Sequence, residues 1–129
     1  MPVLLKIKWT FKEGRRDDFA KNQETLAAVM AADHPGVICY HVDYPIGENY
    51  SEWVEIYAND EVLAAHLANE KGKAPLGVCI DASAKIECRC WGNPNDATKE
   101  ILAGFGATYH GSGGNSFMVH PNADKDSTA

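Results

Sequence analysis

The chain has 129 residues, 45% hydrophobic and 23% charged, which is enough for one core and too few for two full domains. Its formal net charge of -6 argues against nucleic acid or an anionic membrane surface as a partner, because both would repel it. The opening MPVLLKIKWTF is interrupted by Lys6 and Lys8, so it lacks the unbroken apolar core of a secretory signal. No apolar run is long enough to span a bilayer, so a cytoplasmic protein whose four cysteines stay as thiols is expected.

In VLLKIKWTF, Val3, Leu5, Ile7, Trp9 and Phe11 recur at period two opposite Lys6, Lys8 and Thr10, which predicts a half-buried strand ended by Gly14. From Arg15 to about Asp33 the apolar spacing becomes helical through Phe19, Leu26 and Met30, and HPG at 34–36 supplies the stop. Gln23 falls inside that stripe, with Asn22 at its edge. VICYHVDYP and YSEWVEIYA, joined by the turn signal PIGEN, predict a hairpin. Asn59 is placed to cap a second helix over 60–69, with Asp60 and Glu61 in its first turn, and KGKAPLG is expected to break it. After a short apolar link, SAKIECRCWG alternates Ala84, Ile86, Cys88 and Cys90 against Lys85, Glu87, Arg89 and Trp91, a fourth strand. NPNDATKEILAGFG then predicts a short capped helix, followed by a last strand at either Thr108–His110 or Phe117–His120 and a polar tail.

The order strand, helix, strand, strand, helix, strand is the α+β, ferredoxin-like βαββαβ pattern, an antiparallel sheet with helices on one face. Val37 and Cys39 against Tyr40 and Val42 suggest apolar side chains on both faces, so the uncovered face predicts a homodimer.

The run PGVICYHVDYP…YSEWVEIYANDEVLAAHLAN resembles the antibiotic biosynthesis monooxygenase domain family over residues 3 to 92. The resemblance implies a dimeric α/β barrel and divides the chain into that domain at 1–92, a C-terminal helix and strand extension at 93–120 and a flexible tail at 121–129. Members include cofactor-independent quinol and anthrone oxygenases, small-molecule isomerases and haem-degrading enzymes. The haem-degrading members present an asparagine on the first strand where this chain offers Lys6, Lys8 and Thr10, so no haem is expected.

Val62, Leu63, His66 and Leu67 share one helical stripe, which turns His66 towards the sheet. Trp53, Glu55 and Tyr57 share one face of the strand before it, and if that face lies under the helices, Glu55 and His66 meet as a carboxylate–imidazole pair able to act as a general base. The same spacing suits a buried His and Glu that merely satisfy each other, and Val54, Ile56 and Ala58 form the more apolar face, so strand parity decides between the two. The resemblance implies that the His of AAHL faces a ligand cavity. Trp9, Tyr40, Trp53 and Tyr57 could line an aromatic pocket, or pack the core, and Gln23 could orient a bound ring. Cys39 and His41 share a face, but two ligands on one strand do not make a metal site. The resemblance to the oxygenase members implies proton abstraction by His66 and Glu55 from a small aromatic or enolisable substrate, followed by direct reaction with dioxygen and without cofactor or metal. An isomerase or lyase using the same base, or a non-catalytic binding barrel, are the alternatives.

Overall fold

The computed structural model describes residues 2–111. The elements in chain order are β1 (Val3–Phe11), α1 (Arg16–Asp33), β2 (Val37–Asp43), β3 (Tyr50–Tyr57), α2 (Asp60–Ala68), α3 (Glu70–Asp81), β4 (Ser83–Trp91), α4 (Asp96–Ala103) and β5 (Thr108–His110). They form one sheet in the order β2-β3-β1-β4-β5, antiparallel except for the β4–β5 pair. The first four strands have the ferredoxin-like arrangement, and β5 extends the β4 edge. The alternative strand at 117–120 and the tail at 121–129 lie outside the described residues. Among the described residues, no helix is long and apolar enough to cross a membrane.

The alternation in β1 and β3 translates directly into burial. Val3, Leu5, Ile7, Trp9 and Phe11 on β1 and Ser51, Trp53, Glu55 and Tyr57 on β3 are buried beneath the helices, and the residues between them are half-buried on the other face. In β2 the register shifts between Val37 and Cys39. Val37 pairs with Tyr57 and Cys39 with Ile56, so the two do not share a face as plain alternation implied. The shift turns Tyr40 and Val42 inward, opposite Glu55 and Trp53. The outer face carries charges of both signs at Lys6, Lys8, Glu52, Glu87 and Arg89 beside the apolar Leu4, Val54 and Ile56.

The segment expected to break the second helix and lead through a short link is itself a helix, α3. Glycines and Pro75 lower its intrinsic propensity, yet Gly72, Pro75 and Cys79 form a buried small-residue stripe against α1. Leu26 packs over Gly72, and the Cys79 thiol lies 3.7 Å from the Phe19 carbonyl. Close packing thus outweighs the local preference. The turn between α2 and α3 is held by Asn69, whose Oδ1 accepts from the Lys71 N–H.

Residues 93–111 pack on their own chain. Thr98 and Leu102 of α4 are buried, Phe105 stands edge-on to Trp9 at 6.2 Å, and the Asn95 N–H bonds the Asp60 carboxylate at the start of α2. Cys39, Cys79, Cys88 and Cys90 are all unpaired thiols.

Candidate active site

Three local features place Glu55 and His66 together. Asn59 accepts from the Val62 N–H and starts α2 immediately after β3. Gly36, at the entry to β2, lets Val62 lie against its backbone, where a Cβ would run into Val62 Cγ2, and its carbonyl accepts from the Ala58 N–H. These contacts press the first turns of α2 onto the β2–β3 end of the sheet. The 3.6-residue period then carries His66 over β3, on the same side as Leu63.

His66 Nε2 stands 4.0 Å from Glu55 Oε1, and the two side chains are only 11% and 4% exposed. Strand parity therefore runs in the direction that brings the pair together. The Tyr57 hydroxyl donates to Glu55 Oε1 at 2.6 Å, and the Tyr57 ring stacks on the His66 ring with centroids 5.9 Å apart. Burial pushes the Glu55 carboxyl up to about 7 despite the Tyr57 hydrogen bond. Burial, assisted by the neighbouring His34, lowers His66 to about 4. At neutral pH the imidazole is thus uncharged and the carboxyl is poised between its two forms. Tyr57 and Tyr40 are raised by their own desolvation and by Glu55, so both remain hydroxyl donors.

The other residues expected at the site separate into two groups. Tyr40 lies across the strand pair from Glu55 and packs against Trp53 at 5.9 Å. Its hydroxyl is buried without a hydrogen-bond partner, and Gln23 lies beside it outside bonding geometry, its Oε1 taken by the Tyr44 hydroxyl at 2.9 Å. Trp9 is deeper, fully buried between Phe19, Trp53 and Phe105 with its indole N–H unpartnered. Trp53 Nε1 donates to Ser51 Oγ. Cys39 and His41 face the opposite side of the sheet.

A groove of about 450 Å³ opens between α1 and the edge strand β2, bordered by Met30, His34, Val37, Cys39 and Tyr40. Glu55 and His66 do not border it but lie one side chain behind, His66 against His34 and Glu55 against Tyr40. His34 is the residue that sequence reasoning missed, treated only as part of a helix stop. Its ring is edge-on to that of His66 at 5.2 Å, and its Nε2 lies 3.1 Å from Asn69 Nδ2. Because Asn69 Oδ1 is committed to the Lys71 N–H, its amide presents a donor to the ring and to Asp33. His34 Nε2 must therefore accept, and the proton of the neutral ring sits on Nδ1. The sequence signal available was the position of His34 one helical turn after the buried Met30.

No family model and no curated protein matches the sequence. Solved structures do. A putative antibiotic biosynthesis monooxygenase from Caulobacter crescentus is 22% identical, over 67% of this chain and 86% of that one, with a TM-score of 0.60. The chain has the fold of that group. A second putative antibiotic biosynthesis monooxygenase, from Bacteroides thetaiotaomicron, is 17% identical over 67% of this chain and 84% of its own, with a TM-score of 0.62. MupZ from Pseudomonas fluorescens is 14% identical and matches 95% of this chain and 91% of its own at a TM-score of 0.68, a span wider than residues 3 to 92. At such identities the likeness establishes the antibiotic biosynthesis monooxygenase-like fold alone, which hosts several chemistries.

Proposed function

We propose that the chain is a cofactor-independent oxygenase for a quinol, an anthrone or a similar enolisable aromatic molecule, working as a cytoplasmic homodimer. One observation carries the reading: a desolvated carboxyl and a neutral imidazole meet at 4.0 Å beneath the helices, one side chain behind an apolar groove of ligand size. A structural pair with nothing to do would be expected to hydrogen-bond fully, yet His66 Nδ1 is buried without a partner.

In this reading Glu55, raised to about 7, is the final proton acceptor, since its pKa is matched to work near neutral pH and that of His66 is not. The substrate hydroxyl gives its proton to His66 Nδ1 while the Nε2 proton passes to the Glu55 carboxylate, so no imidazolium is left in the buried site. The aryloxide or enolate so formed is poorly solvated and electron-rich, and it transfers an electron to dioxygen. For an anthrone, one oxygen atom enters the ring methylene as a carbonyl and the other leaves as water with the two methylene hydrogens, so no external reductant is needed. The outer sheet face, with Lys6, Lys8 and Arg89 near Glu52 and Glu87, suits pairing with a second copy related by a two-fold axis. Residues 1–92 would form the catalytic domain and 93–120 its C-terminal extension, of which 93–111 pack on it.

Oxygen uptake with a panel of hydroquinones and anthrones tests the proposal. Turnover should consume dioxygen, rise through about pH 7 as Glu55 ionises, and fall roughly 100-fold or more in Glu55→Gln. Turnover without oxygen consumption would assign the same base to an isomerase or lyase. A panel with no turnover at all would leave a binding barrel.

A further inference from the structure

Where α1, α2 and α3 meet, one side-chain amide is committed on every side. Asn69, between α2 and α3, accepts the Lys71 N–H on Oδ1 at 3.0 Å and so caps α3. Its Nδ2 lies 3.1 Å from Asp33 Oδ2 and 3.1 Å from His34 Nε2, both at the end of α1. An amide nitrogen carries two hydrogens to donate, so the set is complete only while both of these neighbours accept. Asp33 does so well into the acid range, because the amide and Lys71 Nζ, 3.2 Å away, hold its carboxyl below the usual carboxylate range. His34 accepts only as the neutral ring protonated on Nδ1. Once the ring takes a second proton, Nε2–H and Nδ2–H are two donors facing each other. Turning the amide over would satisfy His34, but it would set the amide oxygen against the Asp33 carboxylate and the amide hydrogens against the Lys71 N–H.

We propose that this junction is a pH-sensitive latch: protonation of His34 expels the Asn69 amide, uncaps α3 and frees the histidine ring at the border of the groove. The titratable and charged groups around His34 come from four elements. Asp33 is its neighbour on α1, His66 of α2 meets its ring at 5.2 Å, Lys71 of α3 pairs with Asp33, and Cys39 and Tyr40 of β2 share the border of the groove. Glu55 of β3 stands behind His66. Among these, the Asp33 carboxylate already interacts with the charge of His34, and it is the acceptor that replaces the amide when the ring becomes cationic. The latch is closed in neutral solution and opens on acidification. It involves no substrate, so it stands apart from the oxygenase reading.

Nuclear magnetic resonance of the nitrogen-15-labelled protein, followed from neutral to mildly acid solution, tests it. At the neutral end the His34 ring should show Nδ1 protonated and Nε2 bare. On acidification the Lys71 amide signal should move with the His34 ring on one common midpoint, and its protection from hydrogen exchange should fall roughly fivefold, the factor that the loss of a helix N-cap implies. His34→Gln offers Asn69 a carbonyl acceptor that cannot titrate, so its Lys71 amide should stay protected throughout. Asn69→Ala should leave that amide poorly protected at every pH. A His34 ring protonated on Nε2 in neutral solution overturns the proposal, as does a Lys71 amide that stays put while His34 titrates. So does a Lys71 shift that persists in His34→Gln, which would trace it to Glu55 behind His66, or an Asn69→Ala amide as well protected as in the wild type.

Discussion

Replacing either half of the buried pair should expose a pH dependence that the wild-type protein conceals. Glu55 is raised from its ordinary 4.5 to about 7, so the folded state holds a proton that the unfolded chain releases between those values. Stability from Glu55 is therefore present below about pH 4.5 and lost as pH rises to about 7, in total about 3 kcal/mol at roughly 1.4 kcal/mol per unit. His66 is lowered from 6.5 to about 4, so the unfolded chain binds the proton first, and about 3 kcal/mol is lost as pH falls across that window. The two slopes oppose each other and nearly cancel between about pH 4.5 and 6.5. Urea unfolding at half-unit intervals should show Glu55→Gln gaining about 3 kcal/mol relative to wild type from pH 4.5 to 7, and His66→Gln losing about as much from pH 4 to 6.5. Taking differences from wild type removes the contribution of every other titrating group. If the pair were instead a carboxylate bound to an imidazolium, each pKa would move the other way and both trends would reverse. A reversed or flat difference refutes the neutral pair, and with it the use of Glu55 as final proton acceptor.

Other substitutions probe the parts that position the site. Gly36→Ala drives a methyl into Val62 and should destabilise the protein by about 1–3 kcal/mol, read as a lower melting temperature, with oxygen uptake falling further than stability explains because α2 and His66 are displaced together. Asn69→Ala removes both the cap on Lys71 and the donor that fixes the His34 tautomer, and should cost about 1 kcal/mol by urea unfolding. Leu102→Ala empties a fully buried position beneath α4 and should cost about 2–5 kcal/mol, whereas an extension with no part in the core would tolerate it.

The parts of this molecule that could be read from residue order are those where one face is buried and the other wet. The alternation in β1 and β3 is unbroken, so the limits of both strands and the facing of β1 follow from it, and the Phe19, Leu26 and Met30 stripe likewise marks the buried side of α1, Gln23 included; the facing of β3 stays open, because Val54, Ile56 and Ala58 make its more apolar side. Reading fails where a contact made far away in the chain overrules the local signal. Gly72, Pro75 and Cys79 look like breakers until α1 is laid against them, because their value is the absence of side-chain bulk and only a partner reveals it. The shift at Val37–Cys39 is similarly invisible, since an extra residue in an edge strand leaves composition untouched while reversing which side chains face inward. The candidate site depends on both kinds of information. The helical period turns His66 towards the sheet, but the parity that brings Glu55 to it is open in the sequence, the groove is placed by the β2 register shift, and His34 by an amide that also caps α3. The direction of His66 therefore belongs to the part of the fold written in local pattern, and its meeting with Glu55 and the neighbouring groove belong to the part written in long-range packing. Substitutions along β2 or at the α2–α3 junction should accordingly change which ligands reach the pair more readily than they change the pair itself.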